Sequence, residues 1–224
     1  MASAPTSGEQ RTMSDPFSEE AWDERYRSRD ALWSGNPNPK LVSEIADLSP
    51  GVALDVGAGE GADAIWLAGR GWVVTAVDIS AVALQRAAAH AAERGAELAG
   101  RIEWQREDLT KWDPGVGAFD LVSVQYMHLL AEPRNAMFSR LAAAVAAGGT
   151  LLIVGHHPSD LQTTMPRPPL PELFYTGDDV VSLLDPADWT VVTSAASPRS
   201  ATDPDGNQVT IHDTVVRAAR LALR

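Results

Sequence analysis

The sequence predicts an α/β chain: a doubly wound, mostly parallel seven-stranded sheet with an N-terminal helical cap and a C-terminal antiparallel hairpin. Three observations carry this. Short valine- and leucine-rich runs alternate with helical segments from Val52 to Val154, and strands separated by helices pair parallel with helices on both faces. The loop Gly57-Ala58-Gly59-Glu60-Gly61 follows the first run and opens a helix, as a ligand-binding turn at a strand end does. The last two runs are separated by a polar stretch with no helix in it, so they pair antiparallel.

Residues 1–14 are small, polar and proline-containing, as a disordered tail is, and residues 15–224 read as a single domain. A helix starts at Ser18, with Glu19 and Glu20 favourable in its first turn. It breaks at Ser34-Gly35-Asn36-Pro37-Asn38-Pro39, and a second helix runs over Lys40–Leu48. The expected alternation is then strand Val52–Val56, helix Gly61–Gly69, strand Val73–Val77 and helix Ala81–Arg94. Strands Arg101–Gln105 and Phe119–Val124, helix Asn135–Ala146 and strand Thr150–Val154 continue it. Met165–Leu173 carries four prolines and reads as a surface loop, since proline fixes φ and has no N–H to donate. Trp189–Ser194 and Val209–Val216 form the hairpin, with its turn signal at Asp203-Pro204-Asp205-Gly206-Asn207.

Composition narrows the function. A net charge of −12 repels nucleic-acid phosphates, and only Lys40 and Lys111 supply lysine. The expected partner is a small molecule, with no nucleic acid and no membrane; the oligomeric state stays open. No apolar run is long enough to span a bilayer and the start lacks an apolar signal core, so a cytoplasmic location is expected. With no cysteine, disulfides, thiolate metal sites and cysteine catalysis are excluded.

The glycine loop alone does not select a cofactor. Gly57, Gly59 and Ala62 satisfy the relaxed dinucleotide fingerprint, and Asp78 stands where a ribose-binding acid belongs. The acids decide. Asp55 and Glu60 are poor neighbours for a pyrophosphate, because like charges in a partly dry site repel. They suit a cofactor with an ammonium and a sulfonium. Asp55, Asp78 and Asp108 follow three successive parallel strands, at the edge where open α/β sheets bind ligands. A nicotinamide-dependent oxidoreductase is the reading from another class, and the chain shows no Tyr-x-x-x-Lys pair for hydride chemistry. A protein that senses the cofactor without turnover is a further alternative.

The run from LDVGAGEG through VTAVDIS, REDL, FDLVSVQYMHLL and GGTLLIV resembles the Rossmann-like class I S-adenosylmethionine-dependent methyltransferases, over about residues 20–220. The resemblance implies that Gly57, Ala58, Gly59 and Gly61 approach S-adenosylmethionine closely and that Asp55 serves its methionine end. It implies ribose binding by Asp78, with Ile79 packed on adenine and Leu109 against the ring. It further implies that Asp108 reads the adenine amine and that the stretch Gln125-Tyr126-Met127-His128 borders the transferable methyl. WDERYRSRDALWSGNPNPKL and the tail are similar to tellurite-resistance-type and thiopurine-type methyltransferases, which implies that Trp22, Tyr26 and Trp33 lie over the cofactor. Ser200 stands where such relatives can carry a histidine, a departure that weakens a tellurite or selenite assignment.

The expected reaction is methyl transfer to a thiol, a chalcogen oxyanion or a hydroxyl, with N- or O-methylation of a secondary metabolite as the alternative. His128, His156 and His157 follow the fourth and fifth strands and are the candidate catalytic groups. Adjacent histidines on an extended segment point to opposite sides, so no metal is expected there. Tyr126, Arg167, Phe174, Tyr175 and Arg199 are candidate acceptor-binding residues. The proline loop with Phe174 and Tyr175 is expected to act as a lid and acceptor wall, and the arginines to attract an anionic acceptor.

Overall fold

The structure, a computed structural model, describes residues 15–222; the expected tail over 1–14 lies outside them. The N-terminal cap is α1 (Glu19–Arg27) and α2 (Pro39–Glu44). Ser18 caps α1 by accepting the Ala21 amide, and Asn38 caps α2 by accepting the Lys40 amide, which satisfies donors that a first helical turn leaves free. The sheet comprises β1 (Val52–Val56), β2 (Val73–Asp78), β3 (Ile102–Arg106), β4 (Phe119–Gln125), β5 (Val145–His156), β6 (Trp189–Thr202) and β7 (Gln208–Arg220). Its order is β3-β2-β1-β4-β5-β7-β6. Pairs up to β4–β5 are parallel, and β7 runs antiparallel to both β5 and β6.

Helices α3 (Ala62–Gly69), α4 (Ala81–Glu93), α5 (Ala96–Ala99), α6 (Ala131–Ala144) and α7 (Gly177–Val181) complete the layers. One apolar layer joins Leu54, Val122, Phe138, Leu141 and Tyr175; the other joins Leu41, Leu67, Trp72, Leu121 and Leu152. Leu54 and Ala53, neighbours on β1, belong to opposite layers. Alternation along a strand buried on both faces does this.

Several expectations shift: β5 runs over Val145–His156 rather than Thr150–Val154, and β7 over Gln208–Arg220 rather than Val209–Val216. Helix α6 starts at Ala131 rather than Asn135, because Pro133 sits in the first turn, where its missing N–H costs nothing. Strand β6 extends to Thr202 rather than Ser194. It is the outer strand, so its exposed run TSAASPRSAT needs no apolar residues, and Pro198 is tolerated at an edge. Helix α2 stops at Glu44, short of the expected Leu48. The four-residue α5 and the five-residue α7 were not expected; Thr176 and Asp179 close a reciprocal cap on α7.

Candidate functional site

A cavity of about 1520 Å³ runs across the carboxyl ends of the parallel strands. A single small ligand usually occupies about 300–1,000 Å³, so a cofactor and a second molecule fit together. Gly57, Ala58 and Gly59 form its floor, Asp78, Ile79, Asp108 and Leu109 one end, and Gln125, Tyr126, His128 and His156 the other.

The glycine loop takes its shape from positive backbone angles: φ is 73° at Gly57 and 52° at Gly59, a region that side-chain-bearing residues avoid. A Cβ on Gly57 would stand 2.7 Å from Met127 Cε, and one on Gly59 would stand 3.0 Å from the Tyr26 hydroxyl. Both glycines are therefore required by close neighbours as well as by conformation. Asp78 fixes the loop from below, its Oδ2 accepting the Gly59 amide at 2.8 Å and its Oδ1 the Ser80 amide at 2.9 Å.

Residues 22–40 strap this loop. Glu60 Oε2 accepts the amides of Leu32 (3.0 Å) and Trp33 (3.1 Å), and Oε1 meets Arg86 Nη1 at 2.9 Å. Trp33 Nε1 donates to the Tyr26 hydroxyl at 3.1 Å. Ser80 Oγ donates to Asp23 at 2.6 Å, tying α1 to the start of α4. Asp63 Oδ1 accepts the Asn38 amide at 2.6 Å. Trp22, Tyr26 and Trp33 thus stand on the cavity wall, as does Asp63, whose place in the helix's first turn was the signal for it. Glu60 is not turned toward a cofactor cation: its carboxylate holds the strap and Arg86.

Asp55 is buried under the loop rather than on the cavity wall, and its Oδ2 has no hydrogen-bond partner. Burial, then the charge of Asp63, pushes its pKa well above the ordinary range. Burial brings Asp63 up to about 6 and raises Asp78 as well. A pyrophosphate would add repulsion to this acidic floor, whereas a cation relieves it. The donor set therefore fits S-adenosylmethionine. Asp108 lines the adenine end, but its Oδ1 already accepts from Thr110 (amide 3.0 Å, hydroxyl 2.6 Å) and its Oδ2 meets Lys111 at 2.7 Å.

At the other end Tyr126 is the one non-glycine residue with positive φ among the described residues, 51°. Such a conformation costs of order 1–3 kcal/mol and persists only where the surroundings enforce it. Its amide donates to Val154 O at 2.8 Å, and its ring centroid lies 4.8 Å from that of His156. His128 lies 5.6 Å from His156 on another side. Burial, with Arg167 next, pulls the His156 pKa down to about 3, and burial also lowers that of His128. Both imidazoles are neutral at pH 7 and weakly basic.

Several expected positions move. Gly61 does not reach the cavity: a Cβ there would meet Trp104 at 2.7 Å and Ala87 at 2.8 Å, so it lets α3 and α4 approach β3. His157 faces away from His156, accepts the Ser159 amide at 3.2 Å and caps the following turn. Arg167 binds the fully buried Asp160 at 2.7 Å and is off the cavity wall. Tyr175 is not a lid; it lies in the core, edge-on to Phe138 at 5.5 Å, with Gly155 leaving room for its hydroxyl. Phe174 is buried behind His156 at 6.2 Å. Arg199 does line the cavity, with its Nε on Asp213 Oδ2 at 2.8 Å. Sequence reasoning passed over Asn38, Lys40 and Asp213, all on the wall, and Met127, expected beside the methyl group, lines it too. Asp213 had a signal, a carboxylate at an inward position between Ile211 and Val215.

Residues 53–149 match the family described as a methyltransferase domain. An uncharacterized methyltransferase of Mycobacterium tuberculosis H37Rv is 35% identical over 127 residues, 56% of this chain and 61% of that one. The chain thus spans about three fifths of the length of that relative. TehB from Haemophilus influenzae shares the fold at TM-score 0.66 and 18% identity, over 91% of this chain and 66% of that one. So does the Burkholderia thailandensis 1,6-didemethyltoxoflavin-N1-methyltransferase, solved with 1,6-didemethyltoxoflavin and S-adenosylhomocysteine: TM-score 0.64 and 20% identity, over 99% and 94%.

Proposed function

We propose that this chain is a class I S-adenosylmethionine-dependent methyltransferase and that it methylates a small-molecule nucleophile by in-line displacement. The observation that carries the reading is the buried acid pair beneath the glycine loop, Asp55 with an unpartnered oxygen beside Asp63, under a cavity large enough for two molecules. When bound, S-adenosylmethionine supplies a methyl on sulfonium: the acceptor's lone pair bonds the methyl carbon, and the C–S bond breaks with its electrons to sulfur. The chain's part is to align, to exclude water and to stabilise the cation. Asp78 serves the ribose, Ile79 and Leu109 pack on adenine, Asp108 stands by the adenine edge, and Trp22, Tyr26 and Trp33 cover the loop.

No strong base faces the acceptor. His128 and His156 are held neutral by burial, and burial raises the Tyr126 phenol. Their part is to shape and orient: the acceptor's lone pair attacks the methyl, and the proton of an O–H or N–H acceptor is released to solvent. Both expected anion-attracting arginines are paired with carboxylates, which favours a hydroxyl or nitrogen acceptor over a chalcogen oxyanion. The Burkholderia neighbour, named for N-methylation of a heterocycle, is consistent with that choice.

Incubation with S-adenosylmethionine and a panel of phenols, heterocyclic amines, thiols and oxyanions should release S-adenosylhomocysteine with a member of the first two classes. Calorimetry should show S-adenosylhomocysteine binding and no tight NAD binding; tight NAD binding would overturn the assignment.

A further inference from the structure

Five buried side-chain atoms lack a hydrogen-bond partner among the described residues, and four of them step diagonally across one face of the sheet, Asp55 level with Ser123, Gln125 level with Val154 and His156 level with Asp213. They are Asp55 Oδ2 on β1, Gln125 Oε1 on β4, His156 Nδ1 on β5 and Asp213 Oδ1 on β7. These are four adjacent strands in the sheet. Buried polar groups are satisfied in most folded proteins, and each exception costs free energy that a bound molecule can relieve. Strands lie about 4.8 Å apart, so Asp213 is roughly 19 Å along the sheet from the Asp78 end, and His156 roughly 14 Å. The row therefore starts under the cofactor and ends where a second molecule sits.

His156 and Asp213 are register partners on antiparallel strands, which sets their side chains on one face with Cβ atoms about 5 Å apart. Asp213 is 1% exposed and lines the cavity. Its Oδ2 is held by Arg199, which fixes the direction of Oδ1; the Tyr126 phenol stands beside the Arg199–Asp213 pair, and Oδ1 has no donor within hydrogen-bond geometry. Tyr126, His128 and His156 supply adjoining aromatic rings. Lys40, bonded to the Ser197 hydroxyl beside Asp213, and Arg25, whose charge bears on His128, are nearby cations outside the carboxylate pairs among the described residues.

Resting on the methyltransferase reading above, we propose that this corner recognises the methyl acceptor, and that the acceptor is an uncharged aromatic heterocycle or phenol presenting N–H or O–H donors to Asp213 Oδ1 and His156 Nδ1. Asp213 Oδ1 is short of a donor, as is His156 Nδ1 in the tautomer that carries its proton on Nε2, and a carboxylate facing the ligand disfavours an anion there. A site built on a buried acceptor rejects analogues that lack the matching donor, because the buried group is then left unpaired.

The test uses the full chain saturated with S-adenosylhomocysteine and fragment titrations by calorimetry or ligand-observed NMR. Benzimidazole, indole and phenol are each paired with the N- or O-methylated isostere, and benzoate is the anionic probe. At least one N–H or O–H member should bind about tenfold or more tightly than its methylated partner, and more tightly than benzoate. In Asp213→Asn the Asn carbonyl takes the Arg199 bond and the amide NH2 replaces Oδ1, turning an acceptor into a donor. The preference should then fall to within about twofold or reverse, while S-adenosylhomocysteine affinity stays unchanged. Failure of every N–H and O–H probe to bind, tighter binding of benzoate, or an unchanged preference in Asp213→Asn would overturn the proposal. The wild-type comparison decides even if the variant does not fold. Loss of S-adenosylhomocysteine binding by the wild-type chain is a separate reading, and it strikes at the methyltransferase assignment instead.

Discussion

Asp63 and Asp55 show how one residue's surroundings set its chemistry. Burial brings Asp63 up to about 6 and takes Asp55 well above its ordinary range. A raised carboxyl pKa means that the folded chain holds a proton the unfolded chain has lost. The stability tied to Asp63 is therefore complete below about pH 3.8 and is lost as pH rises through about 6. A bound sulfonium and ammonium favour the ionised carboxylates, so S-adenosylmethionine binding should release protons near pH 6. Calorimetry at pH 6 in two buffers of different ionisation enthalpy should give different apparent enthalpies, and affinity should weaken at lower pH. Identical enthalpies would show that these acids do not sense the cofactor. His156 has the opposite sign: its pKa is depressed to about 3, so its stability is present above about 6.5 and lost as pH falls toward 3. His156→Phe should flatten that acid-side loss in melting temperature. Asp55 and Asp78 were legible as buried acids at the strand ends because a carboxylate there is costly without a reason; Asp78 lines the cavity, and Asp55 lies beneath it. Their protonation was not, since it depends on neighbours far away in the chain.

The strap is the element whose role the local pattern concealed. Glu60 reads as one more acid in a loop, yet it accepts two strap amides and pairs with Arg86. Glu60→Ala leaves two amides and a guanidinium without their acceptor, a loss of about 2–3 kcal/mol in strap closure. Hydrogen exchange at Leu32 and Trp33 should accelerate and S-adenosylhomocysteine affinity should fall; unchanged exchange at these amides would show that the strap is held elsewhere. Helical spacing in α1 was readable from its Ser18 cap onward. The contacts of Tyr26 and Trp33 with Gly59 were not, because they join residues that only the folded chain brings together. Strand β6 illustrates the converse: fourteen residues of edge strand carry no period-2 apolar signal, since neither face is buried along most of its length.

For the molecule as a whole, β7 is the keystone. It pairs with β5 and β6, and Val215, Val216 and Ala218 enter both apolar layers. A chain ending at Asn207 would expose the β5 edge and open both layers, so it should aggregate or melt without a cooperative transition. A cooperative melt of that truncation would contradict this account. Strand and helix order, the parallel sheet, the glycine turn and the acidic loop were set by the sequence itself, because hydrophobic period, turn chemistry and glycine conformation act over a few residues. The tertiary structure alone decided which side chains face the cavity. Phe174, Tyr175, Arg167, His157 and Gly61 were expected at the site and are used for packing, pairing or capping, while Asp213 and Lys40 reach it from distant segments. Side-chain direction and pairing depend on contacts between strands and loops remote in sequence, and those exist only once the sheet has closed.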